Sequence, residues 1–129
     1  MVFTATTQGI KVSVTSEYQA EYSNPLKAHY VFTYRIIIEN QSDFTIQLRR
    51  RRWFIFDSCG TTTEIEGQGV IGQEPVLAPG QSHQYVSGCH LQSDIGKMKG
   101  TYVMERLIDR SEFKVMIPSF TMVVPYRLN

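Results

Sequence analysis

Cysteine is scarce in this 129-residue sequence, which contains only Cys59 and Cys89. Neither belongs to a C-x-x-C pair, and the short ligand spacings of structural zinc sites are missing. A zinc site would have to combine the two thiols with His83 or His90 across the fold. We therefore expect two reduced thiols and no metal centre.

Excess charge and long apolar stretches are missing as well. Thirteen basic and twelve acidic residues give a net charge of +1, so no general attraction to nucleic acid or acidic membranes is expected. No apolar run approaches the length of a membrane span, and residues Met1–Gln8 lack the basic and apolar regions of a signal peptide. We expect a cytoplasmic protein that binds neither nucleic acid nor membranes.

Helical periodicity is almost absent, and the two-residue alternation of β-strands takes its place. The strongest signal runs from His29 to Asn40, with one apolar face and one mixed face; the apolar face comprises Tyr30, Phe32, Tyr34, Ile36 and Ile38. Weaker strand signals cover Ile10–Val14, Phe44–Asp57, Thr61–Glu66, His83–Cys89, Thr101–Leu107, Phe113–Ile117 and the segment around Met122. Gly88–Gly100 has no clear pattern. Seven or eight short strands predict a single all-β domain, residues 1–129, built as an antiparallel β-sandwich of two sheets.

The alternation slips once, within a run of four arginines. Ile46 and Leu48 occupy even positions, whereas Trp53 and Ile55 occupy odd positions. Both pairs can face one core only if the strand contains an extra residue, because side chains alternate strictly along a pleated strand. The pattern predicts a β-bulge within Arg49–Arg52.

The four arginines allow two interpretations. They form a solvated segment whose side chains alternate between faces and protect a sheet edge, or they form a site for an anion or an acidic partner. They are a weak signal for nucleic acid, because no aromatic platform is interleaved on the same face.

A glycine-rich stretch contains the pattern G-x-G-x-x-G at Gly67, Gly69 and Gly72. In dinucleotide-binding proteins this pattern opens a helix whose N-terminus holds a pyrophosphate. Pro75 and Pro79 prevent a helix from following here. The glycines then serve a bulge or tight turn that needs positive φ, or else their amides form an anion-binding nest without a helix.

Catalytic constellations do not stand out. No Ser/His/Asp set or pair of carboxylates is recognisable, and His29, His83 and His90 have no evident partner as general bases. We expect a protein that is not an enzyme and needs no cofactor or metal.

Several stretches together resemble the bacterial ApaG family, and the match covers nearly the whole chain in order. They are Tyr30–Ile36, Gln47-Leu48, Arg51–Trp53, Asp57, Gly60, Gly67–Gly80, Tyr85–Gly88, Gly96–Met104, Phe113–Phe120 and Pro125. Two positions differ from the usual family pattern: Arg52 replaces a histidine, and His83 replaces an aromatic residue.

The resemblance implies an immunoglobulin- or fibronectin-III-like sandwich. It also implies a protein-interaction role, because similar domains occur in eukaryotic F-box proteins and in a DNA-polymerase-associated protein. Bacterial members are often called cobalt/magnesium efflux proteins. The family's glycine motif, here Gly67, Gly69 and Gly72, has been discussed as a pyrophosphate site.

Two functions follow as expectations. The first is a non-catalytic module that binds an unidentified protein partner, or a second copy as a homodimer, through a sheet edge or the face that carries Val31, Thr33 and Ile37. The alternative is a small-molecule site for pyrophosphate or a nucleotide polyphosphate, formed by Gly67, Gly69 and Gly72 with Arg51 and Arg52.

Overall fold

The computed structural model describes residues 1–128, and nine strands account for most of them. The strands are β1 (Phe3–Thr7), β2 (Ile10–Tyr18), β3 (Tyr30–Asn40), β4 (Ile46–Asp57), β5 (Thr62–Gln68), β6 (Val76–Leu77), β7 (Ser82–Leu91), β8 (Ile95–Arg106) and β9 (Glu112–Val123). Three short 3-10 helices, Ala20–Tyr22, Pro25–Lys27 and Pro125–Leu128, are the only helices in the described part of the chain.

The strands form two antiparallel sheets. The first sheet has the order β1-β2-β3-β7, and the second has the order β5-β4-β8-β9, with β6 also paired to β4. The predicted two-sheet β-sandwich is therefore confirmed. The finer likeness to immunoglobulin or fibronectin-III domains stays a prediction.

The core lies between the sheets and follows the predicted alternation. Phe32, Tyr34, Ile36 and Ile38 of β3 are buried, and Tyr30 packs against them. Trp53 of β4 is only 2% exposed, and its ring lies 5.5 Å from that of Tyr34 in an edge-on contact. The central strand of each sheet therefore supplies the aromatic centre of the core.

The predicted bulge lies at Arg49. Leu48 pairs with Met104 and Arg50 pairs with Val103, so Arg49 is the extra residue. This confirms the bulge and explains how Leu48, at an even position, and Trp53, at an odd position, both reach the same core. The expectation that the arginines protect a sheet edge is wrong, because β4 lies between β5 and β8.

Two other expectations are corrected by the strand boundaries. Residues 88–100 are mostly strand rather than irregular, since β7 continues to Leu91 and β8 begins at Ile95. The alternation of apolar and polar residues was weak here, because Gly96 and Gly100 occupy inward positions of β8 that large apolar residues usually fill. β1 had no recognisable signal and was missed.

Val31 does not belong to an accessible face, so its assignment to an interaction surface is wrong. Its side chain is 8% exposed. Its amide donates to Ser23 Oγ at 2.8 Å, and its carbonyl accepts a hydrogen bond from the amide of Gln19 at 2.8 Å. The segment between β2 and β3 thus covers this end of the first sheet.

The glycine stretch ends in a two-residue turn. Val70 and Gln73 exchange both backbone hydrogen bonds, at 2.8 and 3.0 Å. Ile71 and Gly72 lie between them with φ values of 48° and 72°. Positive φ at both central residues is the mark of a type I′ hairpin turn, which favours Asn-Gly. A β-branched residue such as Ile71 is strained in this conformation.

Replacing Ile71 with Asn should stabilise the protein. Asn adopts positive φ more readily, and the Ile71 side chain is 61% exposed, so little packing is lost. We expect a gain of about 0.5–1 kcal/mol in the free energy of unfolding, measured by urea denaturation. A loss of stability would show that the Ile71 side chain makes contacts that outweigh the turn strain.

Candidate functional site

Arg51 and the glycine-rich stretch are direct neighbours. The Cα atoms of Arg51 and Gly67 are paired across β4 and β5. Arg51 Nη1 donates to the carbonyl oxygens of Gln68 at 3.1 Å and Gly69 at 2.9 Å. Gly67 lies beneath the guanidinium, since a Cβ there would stand 2.7 Å from Nη1. The structure therefore brings together three of the five predicted ligand residues, Arg51, Gly67 and Gly69.

The amides of the glycine stretch are largely committed to the backbone. The Gly69 amide donates to the Arg49 carbonyl at 2.8 Å, and the amides of Val70 and Gln73 bond each other's carbonyls. Around Arg51 the stretch thus presents carbonyl oxygens, which attract a cation. Positive φ at Gly69 and Gly72, 61° and 72°, agrees with the turn interpretation of the motif.

The other three arginines do not join Arg51. Arg52 follows it directly in an extended strand, so the two side chains leave opposite faces of the sheet. Each of the three is paired with glutamates: Arg49 with Glu105 at 2.8 Å and Glu74 at 3.4 Å, Arg50 with Glu112 at 3.1 Å, and Arg52 with Glu64 at 2.6 Å and Glu66 at 3.2 Å. Arg52 therefore lies apart from the predicted phosphate loop.

Three tyrosines, Tyr34, Tyr85 and Tyr102, lie near enough to Arg51 for its charge to lower their pKa values. The hydroxyls of Tyr85 and Tyr102 lie 2.5 Å apart, and burial raises the pKa of both phenols. Burial also raises the pKa of Tyr34, while Arg51 acts in the opposite direction on all three. The phenols are neutral at physiological pH, so this cluster is a hydrogen-bonded part of the core between β3, β7 and β8.

The sandwich is closed along one side and open along the other. β9 packs against β1 and β2 on the closed side. On the opposite side β7 and β5 do not pair, and a groove runs between them. This β5–β7 groove is lined by Ile55, Thr63, Ile65, Gly88, Cys89 and Leu91. Ile65 shares the inward face of Trp53 yet is 40% exposed, which shows how open the groove is.

Asp57 closes one end of the groove. Its carboxylate accepts hydrogen bonds from the Gln92 amide at 2.6 Å, from the Cys59 amide at 3.3 Å and from the Ser93 hydroxyl. Partial burial raises the pKa of this carboxyl, but the hydrogen bonds outweigh it and the net pKa is lowered. Asp57 thereby fixes the end of β4 to the loop that follows β7.

The histidines form no recognisable catalytic set among the described residues. His29 Nε2 and His90 Nδ1 lie 3.1 Å apart, and His83 contacts the ring of Tyr85. No group of three or more histidine, cysteine or acidic side chains in residues 1–128 is arranged to hold a metal ion.

Both cysteines are free. Cys59 is exposed, whereas Cys89 is buried and burial raises the pKa of its thiol to about 11.

Sequence analysis missed one candidate feature, an aromatic and basic surface on the outer face of the second sheet. After the bulge, Arg52, Phe54 and Phe56 share that face, and Lys97 and Lys99 of β8 lie beside them. The signal was present as strict alternation in Arg52–Phe56. It was not used because Lys97 and Lys99 fell in the segment judged irregular.

The fold defines the class of this protein as an open, two-sheet antiparallel β-sandwich domain. A family model described as the ApaG domain matches residues 20–106. The chain is 42% identical to Protein ApaG of a Methylobacterium species over 125 residues, 97% of this chain and 95% of the relative. It is 41% identical to Protein ApaG of Paramagnetospirillum magneticum over 131 residues, 99% and 100% of the two chains.

A solved structure agrees with these relatives. The ApaA protein from Bordetella pertussis superposes with a TM-score of 0.87 at 40% identity, covering 90% of this chain and 94% of that chain. The chain belongs to the ApaG family. No helix within residues 1–128 has the length and apolar character needed to cross a membrane.

Replacing Gly69 with Ala should destabilise the fold without any ligand. A Cβ there would lie 2.1 Å from the Gln73 carbonyl oxygen, and φ is 61°. We expect a loss of about 2 kcal/mol, or a fall in Tm of roughly 6–10 °C in a thermal scan. Gly72→Asn is the matched control, because nothing lies within 4 Å of that Cβ and Asn tolerates positive φ. Equal effects of the two changes would contradict a steric role for Gly69.

Proposed function

We propose that this chain is a non-catalytic protein-interaction module that binds an extended segment of its partner by strand addition to β7. The observation that carries this proposal is the character of β7 as an edge strand. It has ten residues, Ser82–Leu91, and within residues 1–128 it pairs with β3 alone. In strand addition, main-chain hydrogen bonds supply affinity and side-chain pockets supply specificity.

The free edge of β7 lacks the usual protection. Ser82–Leu91 contains no Asp, Glu, Lys, Arg or Pro, and its pairing with β3 continues without a register shift. Natural edge strands are commonly protected by charges, prolines or bulges against pairing with another chain. β5 follows that rule, since Glu64 and Glu66 lie on it. A long, regular edge without charged residues, such as that of β7, can pair with a strand of a partner protein.

The unpaired groups on β7 can be assigned from the ladder. Antiparallel residues alternate between hydrogen-bonded and non-hydrogen-bonded pairs. The Asn40 amide donates to the Gln81 carbonyl at 2.9 Å, which sets the phase of this alternation. The amides and carbonyls of Gln84, Val86 and Gly88 then face away from β3. These are the groups that an added strand would meet.

The β5–β7 groove gives the added strand a source of specificity. Alternate side chains of a strand beside β7 would point toward the core side of the sheet, where Ile65 and Ile55 are accessible. An apolar side chain there would bury part of the exposed surface of Ile65. We therefore expect a partner segment with apolar residues at every second position.

We assign no catalytic, metal-binding or transport role, and we place the module in the cytoplasm. Two unpaired thiols suit a reducing compartment. The cobalt/magnesium name used for bacterial family members would then describe an indirect effect through a partner. Self-association as a homodimer is the special case in which the added strand comes from a second copy.

Val86→Pro tests strand addition directly. Proline removes an edge amide that does not bond β3, so the fold should persist while one hydrogen bond to an added strand is lost. Peptides selected from a random library against the immobilised protein should bind Val86→Pro roughly tenfold more weakly in calorimetry. Amide hydrogen exchange should show protection by the peptide at Gln84, Val86 and Gly88.

Thr4→Pro is the matched control on the opposite edge of the same sheet. Hydrogen-bonded and non-hydrogen-bonded pairs alternate between β1 and β2 from the pair Thr7–Ile10 onward, so the Thr4 amide also faces away from β2. Unlike the edge of β7, this edge of β1 packs against β9. Peptide affinity should stay within roughly twofold of the parent protein. Exchange protection that maps outside β7, or unchanged affinity in Val86→Pro, would refute strand addition at this edge.

A site for pyrophosphate or a nucleotide polyphosphate is the second candidate. The contact of Arg51 with Gly69 favours it, because it brings a guanidinium beside the glycine motif. The commitment of the Gly69, Val70 and Gln73 amides weighs against it, because a phosphate would have to compete with backbone carbonyls. Arg51 would be its principal donor.

Thermal unfolding with pyrophosphate tests this second candidate. A ligand at about a hundred times its dissociation constant should add roughly 2.7 kcal/mol of stability, seen as a higher Tm. The shift should disappear in Arg51→Gln and persist in Arg52→Gln, whose side chain lies on the opposite face of the sheet. No shift in the parent protein, or equal loss in both variants, would reject the site.

A further inference from the structure

Two partly exposed phenylalanines lie on the outer face of the second sheet. Beyond the bulge, Trp53 and Ile55 point into the core, so Phe54 and Phe56 point outward. Both rings are half-buried. Two positions along one strand span about 6.6 Å, so the rings form successive steps on a flat surface.

Basic side chains flank the two rings on the β8 side, whereas Glu64 of β5 is paired with Phe54 on the other side. Lys99 is paired across the sheet with Phe54, and Lys97 with Phe56. The ammonium of Lys99 lies 5.8 Å from the ring centre of Phe54 and 5.6 Å from that of Phe56. The guanidinium of Arg52 lies 5.0 Å from the ring centre of Phe54. Each cation is attracted to the ring face beside it, and a base that stacks on the same face would have to displace it.

The lysines of this face differ from its arginines in their ion pairs. Within the described residues, no salt bridge involves Lys97, Lys99 or Lys114, whereas Arg50 and Arg52 are paired with glutamates. One shallow depression lies beside Arg50, Arg52 and Lys114, and another lies beside Phe56 and Lys97. The strip between the two depressions follows β4 from Arg50 to Phe56 for about 20 Å.

We propose that this strip, made of Arg52, Phe54, Phe56, Lys97, Lys99 and Lys114, binds single-stranded nucleic acid. Bases would stack on Phe54 and Phe56, and the lysine ammonium groups would meet the phosphates. Proteins that bind single strands combine a basic track with aromatic side chains on a sheet surface. An acidic peptide would pair with the lysines, but it would not need two stepped aromatic faces.

This inference revises the expectation that the protein has no nucleic-acid partner. That expectation depended on the net charge of +1 and on the absence of aromatic residues on the arginine face. Arg52 shares a face with both phenylalanines by simple alternation, and the bulge at Arg49 turns that face outward. The relevant charge is also local, because Lys97, Lys99 and Lys114 form no salt bridge with any residue of 1–128. The strip is separate from the β7 edge, so the two sites can be tested independently.

Fluorescence anisotropy with labelled oligo-dT and oligo-U of about twelve nucleotides tests the proposal. We expect saturable binding below about 100 µM that weakens between about 50 and 200 mM salt. A duplex of the same length should bind more weakly, because its bases are not free to stack. No saturable binding of either single strand in that range would overturn the proposal.

Two pairs of substitutions separate stacking from charge. Phe54→Leu with Phe56→Leu keeps apolar bulk but removes both ring faces, and affinity should fall at least tenfold. Lys97→Gln with Lys99→Gln should weaken binding similarly and reduce the slope of log affinity against log salt by about 1.4. The second pair keeps the test informative if the first pair disturbs folding.

Lys11→Gln with Lys27→Gln is the matched control. It removes the same charge from residues outside the second sheet, and affinity should stay within about twofold. Equal weakening by this control would show that binding is non-specific attraction to the whole protein. Unchanged affinity in the leucine pair, with poly-glutamate displacing the oligonucleotide, would assign the strip to acidic polypeptides and overturn the proposal.

Discussion

The strict alternation of side chains along β4, broken once at Arg49, is the constraint on which the arrangement of this molecule depends. Before the bulge, Leu48 points into the core; after it, Trp53 does. The single extra residue directs Arg51 toward the interior and Arg52 toward solvent. The glycine-loop contact, the aromatic centre of the core and the outer basic strip all require that phase. A one-residue deletion within the run would exchange every later side chain between faces.

The two sides of the sandwich differ in how closely the sheets pack. β9 packs against β1 and β2, whereas β7 and β5 leave a groove with accessible apolar side chains. Asp57 holds one end of that groove through backbone amides, and the Tyr85–Tyr102 hydroxyl pair lies in the adjoining core. Both features have hydrogen-bond partners within the fold. The proposed strand addition therefore needs no movement of the fold, because the outer edge of β7 has no strand partner within residues 1–128.

Sequence reasoning succeeded where a local pattern decided the outcome. The apolar face of β3, the bulge, and the positive φ of Gly69 and Gly72 follow from strand periodicity and glycine chemistry. It failed where pairing between distant segments decided the outcome. Neither the central position of β4 nor the contact of Arg51 with Gly69 can be read from neighbours along the chain.

The candidate site shows the same division. Gly67, Gly69 and Gly72 form a motif that the sequence displays, but the partner of the Gly69 amide is set by a tertiary contact with Arg49. Lys97 and Lys99 were overlooked because glycines in inward positions hid the strand that carries them. Side chains that form a surface only together with those of another strand cannot be recognised from the local sequence pattern.

The order of the strands also has a consequence for synthesis on the ribosome. β3 and β4 follow one another in the chain but belong to different sheets, and each pairs with a strand from the second half, β7 or β8. Until those strands emerge, both central strands carry a free edge and an uncovered apolar face. Such non-local pairing makes folding slow and leaves the nascent chain prone to aggregation. The newly made first half should depend on chaperones until β8 is complete.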